Sequence, residues 1–155
     1  MISRPTTTQL LAVVRQELAE KVAPAVTDPQ VATSLHMIDH ILSALAVRAD
    51  HELGWMAEEM AAIETMGERV AASGLAGADA VADALEAFRS GRAAGLHAAE
   101  ITDDYNRATE VLSRAVEATF ADGGELRAAV QALLDQRLAH ETAVIGEDFA
   151  LVGRS

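Results

Sequence analysis

The feature that most constrains this chain is a long seam of apolar residues at heptad spacing, which no proline interrupts. Its steps of three and four residues keep one face of an α-helix apolar. Two successive steps of four form a stutter, which locally unwinds a left-handed supercoil. The seam consists of Val31, Leu35, Ile38, Leu42, Leu45, Ala49, Leu53, Met56, Met60, Ile63, Gly67 and Val70.

This seam predicts one helix over about residues 29–73, with a length of about 65 Å at about 1.5 Å per residue. Asp28 offers a capping carboxylate, and Pro29 suits the first helical turn. The alternative is two helices that separate near Gly54, because glycine inside a helix costs about 1 kcal/mol relative to alanine. Since neither a proline nor a polar loop lies there, we favour one long helix, straight or kinked, with Leu53 buried on its seam.

The rest of the chain is also helical in pattern. Its 33 alanines favour helix, whereas aromatic residues are 3% of the chain. The predicted further helices cover residues 6–23, which begin with a Thr6–Gln9 capping box and end at Pro24, and residues 79–90, 97–120 and about 125–151. The sequence therefore predicts an all-α helical bundle of four to six helices, as a single domain over residues 1–155.

Charge and composition restrict the possible partners and location. The net charge of −12, from 24 acidic and 12 basic residues, disfavours nucleic acid and anionic membranes, which need a dense basic face. The first residues do not resemble a signal peptide, and no apolar run has membrane-spanning length. The chain has no cysteine for disulfides or thiolate chemistry. We therefore expect a cytoplasmic protein with no membrane and no nucleic-acid partner.

Four histidines are candidate metal ligands. His36 and His40 are four residues apart, which places two imidazoles on one helix face, and His97 and His140 are candidate donors from elsewhere. The di-iron and zinc-protease motifs are both absent. His36 and His40 also lie off the heptad seam, so a surface pair without metal is the favoured interpretation. No cofactor is predicted.

Four side chains are candidates for an apolar ligand pocket between helices. Trp55, Met56 and Met60 lie close together on the long helix, and Tyr105 lies on the apolar face of a later one. Methionine adapts its shape and suits ligand pockets and partner surfaces. Ordinary core packing explains the same residues and is the favoured alternative.

Short segments at both ends of the chain resemble sequences of a known protein family. The N-terminal part has RPT at residues 4–6, LLAVVR at 10–15 and VAPAV at 22–26, and the C-terminal part has LLDQRL at 133–138 and FALVGR at 149–154. These segments resemble a bacterial family of small helical proteins of unknown function. Members are encoded beside kinases similar to aminoglycoside phosphotransferases and beside acyl-CoA dehydrogenases. The resemblance implies an accessory role near such enzymes and brings no catalytic residues.

No catalytic motif emerges from the chain, so a non-catalytic function is favoured. The leading hypothesis is a helical accessory protein that associates with itself, as a homodimer formed by the long helix, or with a protein partner. One alternative is a small apolar-ligand binder that uses Trp55, Met56, Met60 and Tyr105. Another is a metal-dependent helical-bundle enzyme that uses His36, His40 and a distant histidine or glutamate.

Overall fold

A computed structural model of the chain describes residues 4–121 and 124–146. Within them it contains five α-helices and no strand, which confirms the all-α prediction. The helices are α1 (Thr7–Glu17), α2 (Pro29–Ala71), α3 (Ala78–Ser90), α4 (Ala98–Thr119) and α5 (Glu125–Ile145).

The start of α1 is as predicted, but its end is not. The Gln9 N–H donates to the Thr6 hydroxyl at 3.2 Å, and the Thr6 N–H donates to the Gln9 side chain at 2.9 Å. The α-helix ends at Glu17, and the chain continues as a π turn, Leu18–Val22, and a 3₁₀ turn, Ala23–Ala25. The proline within the 3₁₀ turn explains this change, because its ring would clash with the carbonyl four residues earlier in a regular α-helix.

The long helix is unbroken, which confirms the favoured prediction of one helix. α2 runs for 43 residues, from Pro29 to Ala71, and passes through Gly54 without a turn. At its start the Asp28 carboxylate accepts a hydrogen bond from the Gln30 N–H at 2.8 Å. Beyond its end Gly74 has a φ of +71°, a conformation that favours glycine.

The end of α5 differs from the prediction. We expected the last helix to reach about residue 151, but it ends at Ile145. Gly146 follows with a φ of +75°, and its N–H donates to the Thr142 carbonyl at 2.9 Å. This geometry is a left-handed glycine cap, which satisfies a terminal carbonyl and stops the helix. The predicted helical residues after Gly146 lie outside the described residues.

The chain divides into two compact units. Unit 1 comprises residues 1–52 and 140–155, and unit 2 comprises residues 53–139. The prediction of a single domain stays a prediction. The boundaries lie inside α2 and α5, and the first of them, between residues 52 and 53, lies within the stutter of the apolar seam.

The buried core lies in unit 2, where α3 and α4 pack against each other. Phe88, Val81 and Val111 are fully enclosed there. The second half of the seam also packs into this core. Its buried members are Met60, Ile63, Gly67 and Val70.

The first half of the seam, in contrast, includes several exposed residues. Val31, Ile38 and Leu45 remain exposed, and Leu53 is 46% exposed, so the prediction that Leu53 is buried was wrong. Heptad spacing makes one helix face apolar but does not supply a neighbour to cover it. Replacing Leu53 with alanine should therefore cost less than the roughly 2–5 kcal/mol of a buried leucine.

The two glycines of α2 are expected to respond oppositely to alanine. A methyl group at Gly54 meets no neighbouring atom within 4 Å, whereas at Gly67 it lies 2.8 Å from Val111 Cγ1 and 3.5 Å from Leu85 Cδ1. Gly54→Ala should stabilise the fold by up to about 1 kcal/mol through helix propensity. Gly67→Ala should destabilise it by about 1–3 kcal/mol through overpacking. Urea unfolding shows whether each substitution raises or lowers the free energy of unfolding. A lower value for Gly54→Ala would contradict the place of Gly54 inside a regular helix.

Candidate functional site

Unit 1 exposes an unusual amount of apolar surface. None of its described residues, 4–52 and 140–146, is buried. Ten of the fourteen large apolar side chains that are exposed among the described residues belong to this unit. They are Leu10, Val13, Val14, Val22, Val31, Met37, Ile38, Ile41, Leu45 and Ile145. Contiguous exposed apolar patches mark interaction surfaces, whereas single exposed apolar side chains are ordinary.

Part of this surface forms a groove between α2 and the end of α5, which we call the α2–α5 groove. It has a volume of about 260 Å³ and is lined by His40, Ile41, Ala44, Leu45, Arg48, Val144 and Ile145. Ile41, Leu45 and Ile145 are 55%, 44% and 51% exposed. Ile41 and Leu45 are four residues apart, so they lie on one face of α2. The groove is thus an apolar strip with polar residues at its edge.

A second groove of about 250 Å³ lies where the turns after α1 meet α2. It is lined by Leu18, Ala19, Ala23, Ala32, Leu35, His36 and Asp39. At its edge Arg15 on α1 binds both oxygens of Asp39 on α2, at 2.7 and 3.1 Å. The hydrogen bond and the charge of Arg15 lower the pKa of Asp39 below its ordinary value. This ion pair links α1 and α2.

The charges of unit 1 are few and mostly balanced within it. Its described residues include seven acidic and four basic side chains, a net charge of −3, whereas those of unit 2 carry fourteen and seven, a net charge of −7. Besides the Arg15 pair, Lys21 binds Glu17 at 2.7 Å and Arg48 binds Glu52 at 3.1 Å. The surface of unit 1 is therefore both more apolar and less charged than that of unit 2.

The predicted histidine pair forms, whereas the other two candidate histidines lie elsewhere in the fold. His36 Nε2 and His40 Nε2 are 3.0 Å apart, and the two rings are nearly perpendicular. His97 instead precedes α4, where its backbone N–H donates to the Glu100 carboxylate at 3.1 Å, and His140 lies half-buried on α5. Within residues 4–121 and 124–146, no three histidine or acidic side chains come together as a metal cluster.

The predicted ligand-binding residues all lie in unit 2. Met60 belongs to the buried core, and Tyr105 packs against it. Trp55 and Met56 are half-buried on α2. Their role in binding an apolar ligand stays a prediction, and core packing accounts for Met60 and Tyr105.

Tyr105 also belongs to a polar cluster that joins three helices. Its hydroxyl donates to Glu59 Oε2 on α2 at 2.5 Å, and Arg137 Nε on α5 lies 3.4 Å from the same oxygen. The Arg137 guanidinium carbon stands 5.1 Å from the centre of the Tyr105 ring, a cation–π distance. Glu59 is buried, so its charge is compensated at close range. The cluster connects α2, α4 and α5 inside unit 2.

Sequence reasoning missed Glu59 and Arg137. A signal for Glu59 was present, because Glu59, Ile63, Met66 and Val70 are separated by four, three and four residues and share one face of α2. A charged residue on an apolar face needs a buried partner. Arg137 has no comparable signal, since its partner comes from a helix distant in sequence.

The single tyrosine offers a test of this cluster by alkaline titration. Burial, followed by the hydrogen bond to Glu59, raises the pKa of Tyr105 from 10.0 to about 12. Folding thus favours the neutral phenol, and this stabilisation is present below about pH 10 and lost as the pH rises towards 12. Tyr105→Phe should abolish an alkaline loss of about 1–2 kcal/mol, a value lowered for the part of the ring that water reaches. The absorbance of tyrosinate measures the pKa, and a midpoint near 10 in the folded protein would contradict the cluster.

Two further findings concern the chain as a whole. None of the helices among the described residues has both the length and the apolar content to cross a membrane. Comparison of the chain with protein families, with curated proteins and with solved structures finds no match.

Proposed function

We propose that this chain is a non-catalytic helical association module, whose unit 1 pairs with unit 1 of a second copy. The observation that carries this proposal is the surface of unit 1, which has ten exposed large apolar side chains and no buried described residue. Burial of such side chains is the main favourable term in protein association. In the dimer, a second copy covers apolar side chains that are exposed in unit 1 of a single copy.

The size of the apolar surface suits a dimer. Stable interfaces bury about 1,200–2,000 Å² in total and use about 20–30 residues on each side. The ten exposed large apolar side chains of unit 1 would supply the apolar part of such a set. Two grooves described in unit 1, at about 250 and 260 Å³, are each smaller than most small-molecule pockets.

The charge distribution favours a copy of the same chain over a strongly charged partner. A chain with a net charge of −12 repels its own copies over most of its surface. Unit 1 is where that repulsion is smallest, because its described residues carry a net charge of −3 and three of their four basic side chains are paired within the chain. A symmetric interface built on this apolar surface requires no complementary charge.

The dimer would act as an accessory to another protein. The resemblance of the chain ends to a family encoded beside phosphotransferase-like kinases and acyl-CoA dehydrogenases suggests the kind of enzyme that it serves. In such a role unit 1 forms the dimer, and the acidic surface of unit 2 stays accessible to other molecules.

Sedimentation equilibrium of the full chain at micromolar concentration tests the proposal. A dimer is expected, with a thermal midpoint that rises with protein concentration because association stabilises the folded state. A monomer with a concentration-independent midpoint would contradict it. A stable assembly of higher order would contradict a closed two-fold pair.

A further inference from the structure

The α2–α5 groove lies at the point where α5 ends. Two residues of its lining, Val144 and Ile145, are the last two residues of that helix. Gly146 follows with a φ of +75°, a left-handed conformation that turns the chain away from the helix axis. The next residues of the chain therefore begin at the wall of the groove.

The sequence after this glycine is EDFALVGRS, which contains a short apolar run. Its large side chains are Phe149, Leu151 and Val152. They match the apolar lining of the groove, where Ile41 and Leu45 are about half-exposed. Burying the two sets against each other removes both from water, which is the main favourable term in such contacts.

We propose that the apolar run of residues 149–152 binds in the α2–α5 groove of its own chain and competes there with a second copy. The reach of the chain is sufficient. Consecutive residues span at most about 3.6 Å each, so Phe149 lies within about 11 Å of Gly146. Ile41 and Leu45 are about 6 Å apart along α2, at about 1.5 Å per residue.

The charges of the groove agree with this occupant. Arg48 is the charged residue of the lining, and its pair with Glu52 leaves its side chain 55% exposed. An exposed pair of this kind contributes little to stability, so Arg48 can interact with other carboxylates at small cost. Glu147 and Asp148 precede the apolar run and bring two negative charges to this end of α5.

The covalent link gives the segment an advantage over a second copy. A short flexible linker holds a binding segment at an effective concentration of about millimolar, which exceeds that of a separate chain at micromolar concentration. Each of two copies must release its own segment before the grooves can meet, so the effect on the dimer enters twice. This consequence rests on the dimer proposed above, whereas the contact within one chain does not.

A designed disulfide tests the contact directly, because the chain has no cysteine of its own. Ala44 lines the groove, and Ala150 lies inside the apolar run, so Ala44→Cys with Ala150→Cys keeps every large apolar side chain. Under mild oxidation at nanomolar concentration, this pair should form a disulfide within one chain. Ala32→Cys with Ala150→Cys is the matched control. Ala32 is an exposed residue about 18 Å earlier on the same helix, too far for a disulfide to a segment held in the groove, and its disulfide should form at least about tenfold more slowly.

Two serine substitutions test whether the apolar side chains hold the segment. Phe149→Ser with Leu151→Ser should slow the disulfide of the Ala44 and Ala150 positions by roughly tenfold. In the chain without cysteines, the same two substitutions should tighten the dimer by roughly tenfold, because neither copy then covers its own groove. Arg154→Gln lies outside the apolar run and should change neither quantity.

The possible outcomes separate this inference from the dimer. Equal disulfide rates for the Ala44 and Ala32 pairs, or rates that the serine substitutions leave unchanged, would overturn the contact whatever the oligomeric state. Disulfides that join two chains instead of closing one would show that the segment binds a second copy, which also overturns it. A disulfide within one chain, in a protein that sedimentation shows to be monomeric, would support the contact and overturn the competition together with the dimer.

Discussion

The double substitution Ile41→Glu and Leu45→Glu is expected to convert the chain from a dimer to a monomer at micromolar concentration. Both side chains line the α2–α5 groove, and both are about half-exposed in one copy of the chain. In a symmetric pair each copy would bring two new carboxylates into an apolar interface. Desolvation and like-charge repulsion together should weaken association by about a hundredfold, or nearly 3 kcal/mol.

The same substitutions should leave the fold of each copy almost unchanged. Neither side chain is buried in the single chain, so the expected change in the free energy of unfolding of the monomer is within about 0.5 kcal/mol per site. Leu96→Glu is the control, because Leu96 is 86% exposed but lies in unit 2, between α3 and α4. Sedimentation should show a dimer for this control and a monomer for the double variant.

A charge-reversed variant strengthens the test. Ile41→Lys with Leu45→Lys should also be monomeric, because like charges again meet across the two-fold axis. A mixture of the glutamate and lysine variants should regain association, since opposite charges then face each other. A glutamate variant that stays dimeric would show that the copies meet through another surface. The α2–α5 groove would then not be the interface. A monomeric wild-type chain would contradict the dimer itself.

The helices of this protein could be predicted from sequence because their signals are local. The capping box at Thr6, the proline at the start of α2 and the three-and-four spacing each involve residues within two turns of one another. The end of α1 is an exception, because the sequence does not show that the chain can continue into a π turn before Pro24. Helix ends depend on small differences among several local geometries.

Burial was harder to predict, because it depends on which neighbours the fold supplies. One continuous seam crosses α2, yet Ile63 and Val70 are buried while Val31 and Ile38 are exposed. The pattern is the same on both halves, but only the second half contributes to the buried core of unit 2. Leu53 shows that heptad spacing alone does not predict burial, because it belongs to the seam and is still about half-exposed.

The sequence predicted that two histidines share one face of a helix, but it did not predict the contact between their rings. The spacing of His36 and His40 places the two rings on one face of a helix, as the structure shows. The sequence could not show that the two Nε2 atoms meet at 3.0 Å, or that Arg15 holds the carboxylate between them. Both features depend on side-chain rotamers and on the neighbouring helix.

The largest stability loss in unit 2 outside the apolar core is expected from Arg137→Met. The Glu59 side chain is 6% exposed and that of Arg137 is 22% exposed, so both charges lie largely away from water. Methionine keeps much of the length of arginine but removes the guanidinium that lies 3.4 Å from the Glu59 carboxylate. The buried carboxylate then loses the positive charge of Arg137, which should cost about 3 kcal/mol in the free energy of unfolding.

A second substitution separates the lost charge pair from lost packing. Glu59→Gln keeps the shape of the side chain and its ability to accept from Tyr105, but it removes the charge. In that background Arg137→Met should cost about 1 kcal/mol or less, because no buried charge is left uncompensated. Arg114→Met is the control, since Arg114 pairs with Glu110 and Glu117 at the surface of α4 and its loss should change stability little. Urea unfolding of the four chains of the cycle gives the coupling directly, and equal costs of Arg137→Met in both backgrounds would mean that Arg137 contributes only through packing on the Tyr105 ring.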